Sequence, residues 1–188
     1  PLAAGSPLFN SLPLHEHGLK FIYPETAAAH PLDDGTAAVL KNNLDETAQM
    51  LGADEQVYRK LVGDVVKTWP GIEDDVLAPL HFPSRPFKMA KFGMHAILSA
   101  ARLAKRFHTK EARALWAGMA AHSIQPLTNS ATSAIALVLM AAAHLRGWPI
   151  PEKGARSITN ELASYFTSIG GKIETDIHIT SLKQIPSA

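Results

Sequence analysis

The spacing of apolar residues predicts a short sheet near the start of the chain. Apolar and polar residues alternate from Leu19 to Tyr23, which is typical of a short half-buried strand. Two further short runs, 26–32 and 36–40, flank Asp33-Asp34-Gly35. Because glycine accepts a positive φ, Asp-Gly between two such runs predicts a tight hairpin. We therefore expect a small antiparallel sheet between about residues 19 and 41.

Helical spacing replaces this alternation after Lys41. Asn43 followed by Glu46 resembles a capping box and predicts a helix start. The clearest helix follows, with apolar residues every four positions from Val57 to Trp69 and an end at Pro70-Gly71. Further helices are predicted over about 72–80, 88–106, 110–122 and 131–146, and in the second of these we expect Ile97, Ala101 and Ala104 to point inward.

The last forty residues predict a linker, a helix and a strand. Trp148-Pro149-Ile150-Pro151 is typical of a rigid extended linker. The next helix carries one apolar face, made by Ile158, Leu162, Phe166 and Ile169, and ends at Gly170-Gly171. Residues 173–183 then predict an isoleucine-rich strand, for which the chain offers no identifiable partner. Together with a start at Pro1 rather than Met, this favours a piece of a longer protein.

Length, net charge and composition exclude several classes of protein and of chemical site. The length of 188 residues fits one domain, since domains hold about 150 residues. The formal net charge of +1 argues against nucleic acid as a partner. The absence of cysteine excludes disulfides, thiolate metal sites and thiol nucleophiles. The longest strictly apolar run, Ala134–Ala143, is shorter than the roughly 18 residues of a membrane-spanning helix and predicts a buried helix instead.

Motif searches favour no metal site and no catalytic constellation. His15-Glu16-His17 lacks the i, i+4 histidine spacing of a zinc-protease helix, so we read it as a polar loop. No dinucleotide-binding Gly-x-Gly-x-x-Gly, phosphate loop or Gly-x-Ser-x-Gly elbow is present. The catalytic residues are therefore unknown at this stage.

The remaining polar and aromatic candidates have ordinary structural explanations. We interpret His95, His122 and His144 as structural histidines rather than acids or bases. Helix dipoles account for the carboxylates of 73–75 in a first turn and for Lys105-Arg106, with Arg102, at a helix end. Three aromatic residues could line an apolar pocket, although a place in the core is the more common outcome; they are Trp116, Trp148 and Phe166.

Several segments, in order along nearly the whole chain, resemble the phytoene-desaturase-like FAD-dependent oxidoreductases. The stretch Gly170–Thr175, followed by Ile179 and Leu182, looks like the Gly-Gly-x-Ile-x-Thr…Val-x-x-Ile stretch of that family. Gly147–Pro151 resembles its Gly-Trp-Pro-x-Pro segment. Weaker similarities are found in the segments 17–19, 30–35, 120–123 and 126–127. The chain departs from the family where Lys153-Gly154 stands in place of Gly-Gly.

The order of the predicted elements indicates a mostly helical α+β fold, and the resemblance implies that it forms the middle of such an enzyme. Residues 1–18 would be an irregular lead-in, 19–147 a mostly helical substrate-side domain with a small sheet, and 148–188 a linker, helix and strand that return to an incomplete FAD-binding domain. By the same resemblance, the backbone of Ile179 would lie beside the adenine of FAD in the full-length protein. The flavin fingerprint itself is absent, so this chain alone is expected to bind little or no FAD.

The function implied is a contribution to an oxidoreductase that acts on C–C bonds. The enzyme would desaturate, saturate or isomerise an apolar small molecule, and this chain would supply pocket wall and domain-packing surface. The alternative is a non-catalytic helical interaction module derived from such an enzyme. The expected location is the cytoplasm, with peripheral membrane contact and self-association left open. The substrate and the electron acceptor do not follow from the sequence.

Overall fold

The computed structural model describes residues 2–185, and its architecture is a helical bundle with two small sheets. Helices begin and end as follows: α1 Leu2–Gly5, α2 Pro7–Ser11, α3 Leu44–Met50, α4 Glu55–Tyr58, α5 Asp64–Thr68, α6 Glu73–Leu77, α7 Pro86–Ala96, α8 Ala100–Ala104, α9 Lys110–Ala121, α10 Thr132–Arg146 and α11 Arg156–Ser168. The strands are β1 Phe21–Ile22, β2 Thr26–Pro31, β3 Ala37–Lys41 and β4 Ile150–Pro151. The mostly helical α+β class predicted from the sequence is therefore confirmed.

Helix α10 lies at the centre of the core. It packs against α9, α7, α5 and α8, and nine of its residues are buried. The predicted end of this helix is confirmed, because Gly147 follows Arg146 with a φ of 69° that favours glycine. The apolar run that is too short to span a membrane is thus the central core helix.

The hairpin and several helix caps form as predicted. Strands β2 and β3 pair in antiparallel register, with Ala29 opposite Val39 across the turn that contains Gly35. The Asn43 side chain accepts hydrogen bonds from the backbone N–H groups of Asp45 and Glu46 and so caps α3. Thr109 caps α9 in the same way through the N–H of Ala112.

The predicted single sheet over residues 19–41 is wrong in one respect. Phe21–Ile22 does not join the hairpin but pairs with Ile150–Pro151, in the segment predicted to be an extended linker. The linker is extended as expected, and the backbone of β1 gives it a hydrogen-bonding neighbour. This pairing joins the start of the chain to the segment that precedes α11.

The amphipathic helix predicted from residue 57 is confirmed, but it is not uniform. Residues Arg59–Gly63, between α4 and α5, form a π-helical turn. After α5 the continuous helix ends in a 3₁₀ turn, Trp69–Gly71. Leu61, Val62 and Val65 are buried along the predicted face. A π turn widens the helix and changes the phase of the side chains that follow it.

The single helix predicted over 88–106 is two helices. Helix α7 ends at Ala96, and Ser99 starts α8 by accepting a hydrogen bond from the N–H of Arg102. Ile97, predicted to point inward, follows α7 on the same exposed side as Met94 and is exposed, while Ala101 and Ala104 on α8 are half-buried. Because α8 starts anew at the Ser99 cap, the single face predicted over 97–104 is divided between two helices.

Two further expectations at the chain ends are also wrong. The lead-in over 1–18 is not irregular throughout, since it contains α1 and α2, the second capped by Ser6. The strand predicted over 173–183 does not form: the segment has no ladder partner among the described residues and ends in a 3₁₀ turn at Leu182–Gln184. Without a neighbouring edge, a β-prone sequence leaves its backbone groups to solvent. Pro1 and residues 186–188 lie outside the described part.

Candidate functional site

The most distinctive surface is an open apolar groove along α7. Its lining is wholly apolar and consists of Met89, Phe92, Gly93, Met94, Ala96, Ile97, Ala131 and Ala134. The groove has a volume of about 520 Å³, within the range of small-molecule sites. It is shallow and open to solvent, so it forms one wall of a binding site rather than an enclosed cavity. We call it the α7 groove.

Helical spacing explains why α7 presents apolar residues to solvent. Phe87, Ala90, Met94 and Ile97 recur at intervals of three and four, which places them on one side of the helix. All four are exposed, and Met94 and Ile97 of them line the groove; Phe92 and Ala96 are buried and form its inner wall. Exposed apolar residues that form a contiguous patch, rather than scattered ones, mark interaction surfaces.

A set of hydrogen bonds fixes the end of this groove. The backbone N–H of Ala131 donates to the carbonyl of Ile97 at 3.0 Å, and the N–H of Ala100 donates to Thr132 Oγ1 at 2.8 Å. Trp116 Nε1 donates to the carbonyl of Ala100 at 2.9 Å. The two helices that meet at the groove are therefore joined through backbone groups, and the apolar surface is held in a fixed shape.

The loop before α7 adds further exposed apolar residues. Leu80 and Phe82 are almost fully exposed between α6 and α7. The loop is held by Asp75, whose carboxylate accepts from His81 Nε2 at 2.9 Å and from the Ser84 hydroxyl at 2.9 Å. His81 Nδ1 lies 2.7 Å from the carbonyl of Pro79. Because both ring nitrogens face acceptors, this geometry is that of the protonated imidazole.

We call the hydrogen bonds that join Asp75 to His81 and Ser84 the loop clamp. They shift the pKa values of His81 and Asp75. Hydrogen bonds to the carbonyl of Pro79 and to Asp75 raise the pKa of His81. The hydrogen bond from the backbone of Ser84 is the main cause that lowers the pKa of Asp75. Neither group lies in the α7 groove, so the clamp positions the loop rather than supplying an acid or base to the groove.

The acidic residues predicted to occupy a helix first turn do so, but they also have individual partners. Glu73 forms an ion pair with Arg146 at the end of α10, and Asp75 belongs to the loop clamp. Asp74 is exposed. Glu73 and Asp75 thus bind different groups, and the three carboxylates do not form a paired acid and base.

His144 is a structural histidine, as predicted. Its Nε2 lies 2.7 Å from the hydroxyl of Tyr58, and its Nδ1 lies 3.2 Å from the carbonyl of Asn42. The carbonyl can only accept, so Nδ1 carries the hydrogen and Nε2 accepts from the tyrosine. Burial lowers the pKa of His144 and raises that of Tyr58. The pair is a satisfied hydrogen-bond bridge inside the protein.

The other histidines lie in separate places. The His30 ring packs on Gly118, where a Cβ would overlap it, and burial, with His122 nearby, lowers its pKa. The His122 ring lies 5.9 Å from that of Trp148. His95 lies at the end of α7, where burial is the main cause that lowers its pKa.

No metal cluster forms among residues 2–185. His15 and Glu16 lie 3.8 Å apart on the surface, while the neighbouring His17 Nδ1 is 3.0 Å from the hydroxyl of Ser164 on α11. The ring of His17 also contacts Tyr165 edge-on. This segment therefore holds α11 against the lead-in, in agreement with its reading as a polar loop.

The structure separates the three aromatic residues considered as a pocket lining. Trp116 is buried in the core, and Trp148 packs at its margin. Phe166 is exposed on α11, where its ring lies against Gly171. The apolar residues that do gather, Met94 and Ile97 above all, were missed as site residues, although the spacing from Phe87 to Ile97 carried the signal.

Ile179, the residue that the resemblance places beside a cofactor, lies in the extended C-terminal segment. Its side chain is 46% exposed, and its backbone belongs to no strand. Asp54, which sequence reasoning did not single out, is buried and accepts hydrogen bonds from His108 and Thr109. Lys105 and Arg106 line a second groove together with Lys60 and His95, and Arg102 is exposed on α8.

None of the helices in residues 2–185 combines the length and the apolar character needed to cross a bilayer.

Comparisons with known proteins add no relative to this description. Protein-family models, curated proteins and solved structures were each compared with the chain, and none of them matches it.

Proposed function

We propose that this chain is the substrate-side part of a FAD-dependent oxidoreductase that acts on C–C bonds of an apolar substrate. One observation carries the proposal: every residue that lines the α7 groove is apolar. Such a surface offers an apolar molecule dispersion contacts and removal from water without leaving a polar group unpaired. The reaction class and the cofactor rest on the family resemblance of the sequence.

The residues in hand do not fit the flavin itself. No glycine-rich loop links a strand to a helix N-terminus within residues 2–185, and such a loop is how a dinucleotide pyrophosphate is held. Ile179 lies in an extended segment without a strand partner. In this proposal the flavin site is formed by residues outside this chain, and the α7 groove supplies only a wall for the substrate.

Binding of a neutral polyene tests the role of the groove. All-trans-retinol is titrated with the chain, and saturable enhancement of its fluorescence is the expected result. In Met94→Gln we expect about tenfold weaker binding, because burying an amide costs about 1–2 kcal/mol. Met50→Gln is the matched control, since Met50 is 55% exposed and Met94 is 63% exposed, and Met50 lies outside the groove.

Two results of this titration would contradict the proposal. One is the absence of saturable binding to the unmodified chain. The other is equal weakening in Met94→Gln and Met50→Gln, which would indicate diffuse adsorption of retinol. Both side chains are exposed and contribute little to the core, so we expect circular dichroism of each variant to match that of the unmodified chain.

The encoded reading frame distinguishes the enzyme from a non-catalytic interaction module. We expect the frame to continue on both sides, with a Gly-x-Gly-x-x-Gly unit upstream of Pro1, and the longer product to purify with flavin. A start codon directly before Pro1 and a stop directly after Ala188 would favour the module. Stoichiometric FAD binding by the 188-residue chain alone would also contradict the proposal, since it would place the flavin site within this chain.

A further inference from the structure

A second groove, unlike the first, is lined by cations. It lies where the π-helical turn, the end of α7 and the segment after α8 meet, and it has a volume of about 640 Å³. Its lining consists of Val57, Lys60, Leu61, Asp64, His95, Lys105, Arg106 and His108. Buried Leu61 belongs to its floor. We call it the basic groove.

The cations of the basic groove have no acidic partner. Among residues 2–185, Lys60, Lys105 and Arg106 form no ion pair, whereas other cations such as Arg59 and Arg146 do. The groove contains one carboxylate, that of Asp64, which lies 3.1 Å from Lys91 Nζ. Three positive charges therefore converge on a recess whose single negative charge is already paired.

The dipole of α8 explains the positions of two of these cations, but it does not explain why the third lines the same groove. Lys105 and Arg106 follow the C-terminus of α8, where cations are favourable. Lys60 belongs to a different helix and lies in the middle of a continuous helical rod, where no dipole end attracts it. Like charges brought together in one concave place repel each other unless an anion occupies it.

His95 also lines the basic groove and has one unpartnered ring nitrogen. Its Nδ1 is shielded from solvent and has no hydrogen-bond partner among the described residues. Buried polar atoms of this kind are rare and call for a partner. A nitrogen that solvent does not reach does not face an open groove, so Lys60, Lys105 and Arg106, rather than this nitrogen, are the groups that would meet an anion there.

The frame of the groove is rigid. Phe107, next to Arg106, is buried, and the backbone N–H of His108 donates to Asp54 Oδ1 at 2.9 Å. The segment that carries the two cations is therefore fixed to the core on its C-terminal side. A rigid frame lowers the entropic cost of binding a small ligand.

We propose that the basic groove binds the phosphate group of a small soluble molecule. The concave shape and volume suit a phosphorylated metabolite of modest size, and its apolar floor would contact the organic part. Arginine and lysine are the usual partners of phosphate oxygens in proteins. This site is separate from the α7 groove and does not depend on the function proposed above.

Titration with inorganic pyrophosphate tests the proposal. Calorimetry at fixed ionic strength, balanced with potassium chloride, is expected to show saturable binding to the chain. The double variant Lys105→Gln/Arg106→Gln should weaken it at least about tenfold, since charge-assisted hydrogen bonds to phosphate are lost. The control Lys153→Gln/Arg156→Gln changes the net charge equally at exposed positions around the start of α11 and should stay within about twofold.

Three outcomes would overturn the proposal. The first is no saturable binding of pyrophosphate, and the second is equal weakening in the two double variants, which would indicate a diffuse charge effect. The third is binding to phosphatidylcholine vesicles that contain phosphatidic acid without binding of pyrophosphate, because the phosphate would then belong to a lipid surface. Lys60→Gln, a single exposed change on another helix, repeats the test if the double variant fails to fold.

Discussion

Two amphipathic helices of this chain have similar sequence patterns and opposite environments. The continuous helix from Glu55 to Thr68, made of α4, the π-helical turn and α5, buries the apolar face that its periodicity predicts, including Leu61 and Val65. Helix α11 has an equally regular apolar face, yet Phe166 on it is exposed. From residue 158 to residue 185 no residue is buried.

The difference lies in what surrounds each helix. The first helix meets α10 and α3, which supply apolar surfaces on its predicted side. Helix α11 contacts the lead-in, through His17 and Gly18 against Ser164, Tyr165 and Glu161, and none of its residues after Ser157 is buried. Periodicity therefore predicts which face of a helix is apolar, but burial also needs a second surface from elsewhere in the fold.

The largest expected effect contrasts a core leucine with a C-terminal one. Leu137 is fully buried in α10, and Leu182 is 83% exposed. Leu137→Ala should lower the free energy of unfolding by about 4 kcal/mol through lost burial and the cavity left behind. Leu182→Ala should change it by less than about 0.5 kcal/mol. Urea unfolding followed by circular dichroism measures both, and a similar loss in the two variants would contradict the contrast.

A buried carboxylate gives the next effect. Asp54 is fully buried and accepts hydrogen bonds from the N–H of His108 at 2.9 Å, the N–H of Thr109 at 2.7 Å and the Thr109 hydroxyl at 2.6 Å. Burial alone would raise the pKa of Asp54, but these hydrogen bonds outweigh it and lower the pKa. Asp54→Ala should therefore destabilise the protein by about 3 kcal/mol, because donors are left unpaired.

The control for Asp54 is an exposed aspartate in the hairpin turn. Asp33→Ala should leave the unfolding midpoint in urea nearly unchanged. Because the lowered pKa means that the folded state favours the ionised carboxylate, the contribution of Asp54 is present above pH 3.8, its ordinary pKa, and is lost below it. A loss for Asp54→Ala no larger than that for Asp33→Ala would show that the contacts of Asp54 do not stabilise the core.

The Tyr58–His144 bridge gives a smaller effect. Tyr58→Phe keeps the ring but removes the donor to His144 Nε2, so we expect a loss of about 1–2 kcal/mol at pH 8. Burial lowers the pKa of His144, so protonation favours the unfolded state. Stability from this group is complete above pH 6.5, its ordinary pKa, and falls below it.

The predicted loss of stability on protonation of His144 can be tested against a control histidine. His144→Gln should reduce the loss of stability between pH 7 and pH 5, because one neutral buried imidazole is removed. His178→Gln, at an exposed position of the C-terminal segment, should leave that loss unchanged. Equal behaviour of the two variants in urea unfolding at both pH values would contradict the assignment of His144 as a buried neutral histidine.

The loop clamp gives the smallest and most local effect. The pKa of His81 is raised and that of Asp75 is lowered, so the bond is strongest between pH 3.8 and 6.5, the ordinary values of the two groups. The contribution of His81 is lost as pH rises through its folded pKa, and that of Asp75 as pH falls through its own. The backbone N–H of Ser84 donates to Asp75. In His81→Asn this N–H should exchange with solvent faster than in the unmodified chain at pH 6, and at the same rate at pH 9.

Elements set by local chemistry could be predicted from the sequence. The Asn43 and Thr109 caps, the hairpin at Gly35 and the end of α10 at Gly147 all depend on residues next to one another in the chain. The core position of α10 followed from its composition, because a helix that is apolar on nearly all sides is stable only when surrounded.

Features that depend on distant residues could not be predicted. Strand β1 pairs with β4, more than a hundred residues later, and nothing in either short segment specifies that partner. The strand expected after Gly171 had the right composition but no neighbour. The residues on either side of the break, Ile97 and Ala100, are hydrogen-bonded to Ala131 and Thr132, which lie far along the chain.

The candidate sites show the same limit. The apolar spacing from Phe87 to Ile97 was visible in the sequence, but the assignment of Ile97 to the inside concealed the α7 groove. The basic groove joins Lys60 to Lys105 and Arg106 across separate helices, and only the fold brings these residues together. The expectation for Ile179 stays a prediction, since it concerns a cofactor and the longer protein.

Hydrogen–deuterium exchange of the chain with and without all-trans-retinol tests the α7 groove most directly. It reports where an apolar ligand lies, and two exposed apolar regions, the α7 groove and the segment 158–185, are compared in one measurement. We predict slower exchange in peptides that cover 86–97 and 131–135, and unchanged exchange in peptides that cover 158–185. Slower exchange confined to 158–185, or no change in either region, would contradict the account of α7 as the wall of an apolar site.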